Sequence, residues 1–451
     1  MKTGIKITVA LMMSLMINAS CNGQWTNMIK KDLGNWEELN GSAPFEIVND
    51  MIVGTTVLDS PNSFLCSGEK YGDFILEFDT WFDPQMNSGV QIRSESRDDY
   101  QNGRVHGYQI ELDPSDRAWS GGIYDEARRG WLYTLDINPG ARNALRKNDW
   151  NHYRIEAIGN SIRTWVNGEP CADLIDDMTT SGFIALQVHS IGRDTARVGI
   201  QVKWKNIRII TRNPEKYATP NKPVIPQVSY LTNKLSDREI SEGWKLLFDG
   251  ATPEGWMNSG TKTFPESGWE IKDGMLSVNP ATRERGGGGD IVTVDKFRDF
   301  ELSVDFMYTR GANSGIKYFV DIDSDNGRLA SIGCEYQVLD DRNHPDAKAG
   351  INGNRTLAGL YDLIPPTSKR DNGIDNWNRA VIKVNERRVE HWLNGQMTVS
   401  YERGTEQWRE LVATSKYKDY TGFGEAEEGH ILLQDHGNLV HFRNIKIKSS
   451  K

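Results

Sequence analysis

The chain of 451 residues holds only four cysteines, and they stand far apart. Cys66, Cys171 and Cys334 lack metal-type spacing and do not form an even set, so they read as buried small residues rather than ligands or a disulfide framework. Beyond the run from Ile7 to Ile17, no segment is apolar for long enough to span a bilayer as a helix. Basic excess is missing as well. The formal net charge is -9, which argues against a nucleic-acid partner. Proline is sparse except between Asn213 and Lys234. There is no His-Glu-x-x-His, no glycine-rich phosphate loop with Lys-Ser/Thr and no nucleophile elbow. The glycines from Gly286 to Gly289 read as a flexible loop before Asp290.

What the chain does have is repetition. Asn87-Ser88-Gly89 returns as Asn313-Ser314-Gly315, and Trp165-Val166-Asn167-Gly168 as Trp392-Leu393-Asn394-Gly395. Gln187 and His189 return as Gln434 and His436, each set shortly before an Asn-Ile pair at Asn206 and Asn444. The order is kept, so a whole domain is duplicated, and the length suits two domains of roughly 200 residues. The spacing between matched motifs changes along the chain. The second copy carries extra loop between Asp340 and Leu357 and between Tyr401 and Glu428, whereas the first has extra length after Tyr124. Long loops on a rigid scaffold are where sites are usually built.

Short alternating runs dominate. Phe74 to Asp79 and Phe300 to Asp305 place side chains alternately on two faces, and Asn-Gly at 167–168 and 394–395 marks hairpin turns. This predicts an all-β sandwich or barrel for each copy, with little helix. One short helix is predicted to begin at Ser236, with Asp237 and Glu239 in its first turn. The proline-rich stretch between the copies predicts an extended linker. The expected divisions are a signal peptide at 1–21, a first sandwich at 25–212, a linker at 213–237 and a second sandwich at 238–451.

The N-terminus reads as a secretory signal: Lys2 and Lys6, the apolar run, then Asn18-Ala19-Ser20-Cys21. Small residues before Cys21 are similar to a bacterial lipoprotein site, although Asn18 stands where an apolar residue is usual. The expectation is export across the inner membrane and a lipid-anchored lipoprotein, periplasmic or at the outer membrane. The membrane is then met only through that anchor. Plain secretion is the alternative.

Fourteen tryptophans and fifteen tyrosines tilt the reading toward carbohydrate, because aromatic faces stack on the C–H faces of sugar rings. In a strand, Glu335 and Gln337 share one face. Asn313, His391, Gln434 and His436 lie in or beside other predicted strands, and the second copy's extra loop holds His344, Asp346, Asn354 and Arg355 before Tyr361. In the first copy, Gln109 stands where Glu335 does, Glu111 where Gln337 does and Thr164 where His391 does. Positions unique to the second copy are the candidates for catalysis.

Several motifs in order resemble the 3-keto-disaccharide hydrolase family. They are Trp244-Lys-Leu-Leu-Phe-Asp-Gly through Trp256, Trp269 to Gly274, Asn313-Ser314-Gly315, Glu335-Tyr336-Gln337, the stretch from His344 through Arg355 to Tyr361-Asp362, His391 to Gly395, Leu433 to Gly437 and Phe442 to Ile445. The likeness covers 238–449, and residues 35–212 resemble the same family more weakly. It implies two concanavalin A-like jelly rolls in tandem, secretion, and action on glycosides oxidised at C3.

Chemistry then suggests roles. A 3-keto group acidifies the hydrogen on C2, so a base there can form an enolate that expels the aglycone from C1. On this reading His391 or His436 is the base, while Asn313, Gln337 and Gln434 orient hydroxyls. Arg355 or Tyr361 stabilises the enolate or protonates the leaving group, and Glu335 serves as acid or orients a histidine. No cofactor is called for. Such side chains can also hold a divalent cation, though no spacing demands one. A non-catalytic lectin-like protein and an ordinary two-carboxylate glycosidase remain open as alternatives, as does a purely structural role for the first copy.

Overall fold

A computed structural model describes residues 25–30, 32–220, 225–284, 287–322 and 331–449. The signal peptide and Cys21 lie outside the described residues. Among the described residues each copy forms a sandwich of two sheets, with nine and seven strands in the first and eight and five in the second, all antiparallel except one short added strand. The chain is thus two concanavalin A-like jelly rolls in tandem.

Alternation decides which side chains go inside. Leu302, Val304 and Phe306 fill the second core, whereas Glu301 and Asp305 of the same strand do not. Leu76 and Phe78 do the same in the first. Each fully buried side chain of this kind contributes roughly 1.5–3 kcal/mol. Cys66, Cys171 and Cys334 are buried free thiols.

Repeated motifs perform repeated structural tasks. Asn206 and Asn444 adopt positive φ (54° and 50°) at matching bulges. Their side-chain amides donate to Asp79 and Asp305, both at 2.6 Å. Asn167 and Asn394 take the left-handed hairpin position (φ 51° and 48°) and accept from the backbone of His152 and Arg379. Ser88 and Ser314 donate to the carbonyls of Gln187 and Gln434, each at 2.7 Å.

The stretch predicted as a linker does more than connect. Val228–Ser229 adds a parallel strand to Glu169–Ile175 of the first sandwich. The Ser229 carbonyl accepts from Arg379 of the second at 2.7 Å. The predicted helix forms at Asp237–Ser241, where Ser236 and Glu239 complete a capping box. In the second copy's later insertion, the helix Glu406–Ala413 buries Trp408 between Tyr401 and Phe423.

Candidate active site

The five-stranded sheet of the second sandwich turns one face inward and presents the other to its loops. On the strand Ile332–Leu339, Cys334, Tyr336 and Val338 enter the core, so Glu335 and Gln337 point the opposite way. On Asn313–Asp321, Ile316 and Tyr318 enter the core, so Asn313, Gly315 and Lys317 share the face of Glu335. Register sets Gly315 opposite Gln337 and Lys317 opposite Glu335. A Cβ at position 315 would meet Glu335 Oε1 at 2.3 Å, so glycine is what lets that side chain lie across the strand.

The amide row is tightly ordered. With its amide turned to the orientation that its neighbours satisfy, Gln337 donates to Glu335 Oε1 at 3.0 Å and to the Ser314 carbonyl at 3.1 Å, beside the Asn313 side-chain amide. The backbone N–H of Gln434 donates to Gly315 at 2.9 Å. Its side-chain Oε1 is buried with no hydrogen-bond partner, a free acceptor beside the cavity that Gln434 helps to line. That cavity, about 220 Å³, is bounded by Lys317, Glu335 and Gln434 from the sheet and by Lys416, Tyr417 and Tyr420 from the second insertion.

Glu335 is 4% exposed. Burial raises its carboxyl above the usual range, while Lys317 and Lys416 pull the other way. Asp290 is likewise raised by burial, with Lys317 Nζ 3.8 Å from its Oδ2. Asp290 also accepts from the backbone of Asp435 at 2.9 Å. Asp435 in turn pairs with Arg283 and accepts from Gly289 N at 2.7 Å. The glycine-rich loop is therefore clamped onto the turn that carries His436. That imidazole is exposed.

Arg355 and Tyr361 form a flanking network. Arg355 donates to Asp362 at 2.6 Å and to Asp346 at 3.1 Å, so two carboxylates neutralise it. The Tyr361 hydroxyl donates to Asp346 at 2.8 Å, and burial together with that bond raises its pKa, keeping the phenol protonated. Its ring lies beneath Lys416 Nζ at 3.9 Å, and its backbone N–H donates to the Glu335 carbonyl at 3.0 Å.

The expectation that His391 shares this wall requires correction. His391 is fully buried between the sheets, where its Nε2 meets the Tyr318 hydroxyl at 2.8 Å and its ring packs on Tyr336. Tyr318 and Tyr336 point into the core from the same strands that send Lys317 and Glu335 outward, so the imidazole sits behind the polar face. Burial lowers its pKa to about 3.

Sequence reasoning missed Lys317, Asp290, Lys416, Tyr417 and Tyr420. Lys317 had a signal: it follows Asn-Ser-Gly by two residues, where the first copy has Gln91. Lys416 and the two tyrosines sit in an insertion with no counterpart to compare. Among the described residues, no group of three or more His, Cys, Asp or Glu side chains is placed to hold a metal ion.

The first copy lacks these charges at the same positions. Gln91 and Gln109 occupy the places of Lys317 and Glu335 and bond to each other at 2.8 Å. Gln187 donates to Gln109 at 2.9 Å, and Gln109 donates to Glu111 at 3.1 Å. Asn87 and Arg117 also donate to Glu111, and His189 meets the carbonyl of Ser190.

A jelly roll that buries a carboxyl among lysines, amides and tyrosines has the build of a carbohydrate-active enzyme. Residues 24–210 and 243–448 both match the model of the 3-keto-alpha-glucoside-1,2-lyase-like domain, and the chain belongs to that family. A 3-keto-disaccharide hydrolase of Bacteroides thetaiotaomicron is 38% identical over 229 residues, spanning 46% of this chain and 79% of the relative. A provisionally assigned glycosyl hydrolase from Parabacteroides distasonis, known from a crystal structure, is 30% identical with a TM-score of 0.44. That match spans 49% of this chain and all of the other. The protein is accordingly a glycoside-cleaving hydrolase or lyase.

Proposed function

We propose that the second sandwich cleaves 3-keto-glycosides by removing the C2 proton and eliminating the aglycone. The observation that carries this reading is Glu335, a buried carboxyl facing Lys317 at the wall of a cavity that Lys416, Tyr417, Tyr420 and Gln434 also line. As carboxylate, Glu335 takes the proton from C2, and the electron pair moves to the C3 oxygen beside the Lys317 ammonium. The enolate then collapses to the ketone, the C1–C2 double bond forms and the C1–O bond breaks. His436, exposed on the neighbouring turn, gives its proton to the departing oxygen. Water adds at C1 and gives its proton to His436, Glu335 returns a proton to C2, and a 3-keto sugar is left. Asn313, Gln337 and Gln434 orient hydroxyls, with the free Gln434 Oε1 accepting one of them. Tyr361 and Arg355 hold the cavity wall.

The support is the family, the burial-raised carboxyl and the lysine opposite it. Asp290 favours a second reading, since it supplies the neighbouring carboxyl that a two-carboxylate glycosidase needs. One experiment separates them. A 3-keto disaccharide and its unoxidised parent are incubated with the full chain in D2O, with an enzyme-free blank. Elimination requires turnover of the keto form alone and early deuterium at C2 of the released 3-keto sugar. Cleavage of the parent, or product without excess deuterium, overturns it. We also propose export and lipid anchoring at Cys21, which radiolabelled-lipid incorporation into wild type and its absence in Cys21→Ser would establish.

A further inference from the structure

The larger sheet of the second sandwich carries a groove on its outer face, across the sandwich from Glu335. Lys446, Ser303, Val381 and Trp392 form one cross-strand row along its floor. The strap from Pro226 to Tyr230 walls one side of a cavity of about 160 Å³. Trp392 borders the groove at one end. Trp244, on the strand beyond Val440–Ser449, borders it at the other. Four strand spacings of about 4.8 Å separate them, or roughly 19 Å.

Three observations define what such a groove takes. First, both indoles are half-buried, and that of Trp392 is fixed by its Nε1–H to Glu390 at 3.0 Å and by Lys383 Nζ at 5.2 Å from the ring. Second, the charges cancel in pairs: Lys383 with Glu301 at 3.3 Å, Lys446 with Glu239 at 2.5 Å, and Arg379 with Asp305 at 2.6 Å. An anionic ligand meets no unmatched cation there, and a purely apolar one would strip water from the Lys383–Glu301 pair without replacing it. Third, Ser229 is 2% exposed and its hydroxyl has no hydrogen-bond partner, although it lines the cavity. Flat aromatic borders, paired charges that offer both donors and acceptors, and a spare hydroxyl fit a neutral polyhydroxyl chain with apolar ring faces.

We infer that this groove is a second carbohydrate site, which holds a neutral, unoxidised oligosaccharide on the side of the domain away from the catalytic cavity. The inference requires no keto group, so it stands or falls separately from the proposed reaction. The test is calorimetric titration of the full chain with malto-, cello-, xylo- and laminari-oligosaccharides. At least one series binds, and Trp392→Ala and Trp244→Ala each weaken it at least tenfold, while kcat and KM for a 3-keto disaccharide stay within twofold of wild type. Val381→Arg, which fills the floor from the outward face, abolishes binding and serves if a tryptophan variant fails to fold. The inference is overturned if no series binds, if these variants bind as wild type does, or if a 3-keto disaccharide competes for the bound chain.

Discussion

Lys317 and Glu335 stand directly opposite each other on one face of the antiparallel pair Asn313–Asp321 and Ile332–Leu339. In the first copy the same two places hold Gln91 and Gln109, joined amide to amide. One scaffold thus presents a lysine opposite a carboxyl in one half and a neutral hydrogen-bonded amide pair in the other. Activity is expected to follow the charges. Glu335→Gln should lower kcat/KM by about 10²–10⁴, the usual weight of a general base. Wild-type activity should rise with pH through the burial-raised Glu335 titration. A pH–rate profile of wild type and variant checks both, and near wild-type turnover by Glu335→Gln would remove Glu335 from the mechanism.

Glu111 provides a stability test free of catalysis. Burial raises its carboxyl to about 7 from an ordinary 4.5. A carboxyl whose folded pKa is raised favours the fold while protonated. Its contribution is therefore full below about 4.5 and is lost as pH climbs through about 7. Glu111→Gln stays neutral throughout, so its stability relative to wild type should increase across that window and level off above it. Urea unfolding at several pH values measures the difference. A difference that shrinks with rising pH would show that Arg117 and Asn87 outweigh burial.

The fold was legible because strand alternation and Asn-Gly turns are local signals, and two copies repeat them in order. The helix start at Ser236 was legible for the same reason. The site was only partly so. Glu335 and Gln337 share a face by the period of two, whichever strands flank them. His391 looked equivalent, yet which side of a sandwich a strand's alternate residues occupy depends on the partner sheet, and that is tertiary information. Lys416 and Tyr417 reach the cavity through an irregular insertion, whose path no periodicity encodes. The strap residues Val228 and Ser229 gave no strand signal because a two-residue strand shortly after Pro226 is too short to carry a pattern.

His391 should therefore matter for stability rather than turnover. His391→Ala removes a buried ring and leaves the Tyr318 hydroxyl one partner short, a loss of about 2–5 kcal/mol. The folded variant should turn over substrate within a few-fold of wild type. Its pKa is lowered from an ordinary 6.5 to about 3, so the neutral ring stabilises the fold above about 6.5 and that contribution fades as pH falls. His391→Phe should accordingly unfold less steeply in acid. Loss of kcat without loss of stability would return the imidazole to the chemistry.

The repeated Asn-Ser-Gly motif offers a paired experiment in one chain. A Cβ at Gly315 would lie 2.3 Å from Glu335 Oε1, and one at Gly89 would lie 2.4 Å from the Gln109 amide carbon. The steric insult is nearly the same, and overpacking of this kind costs about 1–3 kcal/mol. Under the proposed mechanism its chemical consequence differs, because only the second copy places a carboxyl at that contact. Gly315→Ala should displace Glu335 and cut kcat at least tenfold, whereas Gly89→Ala should destabilise the protein to a similar extent and leave kcat near wild type. Thermal unfolding and steady-state kinetics on the two variants distinguish the cases. Equal kcat losses would mean that the first copy takes part in turnover and that its amide network is not inert.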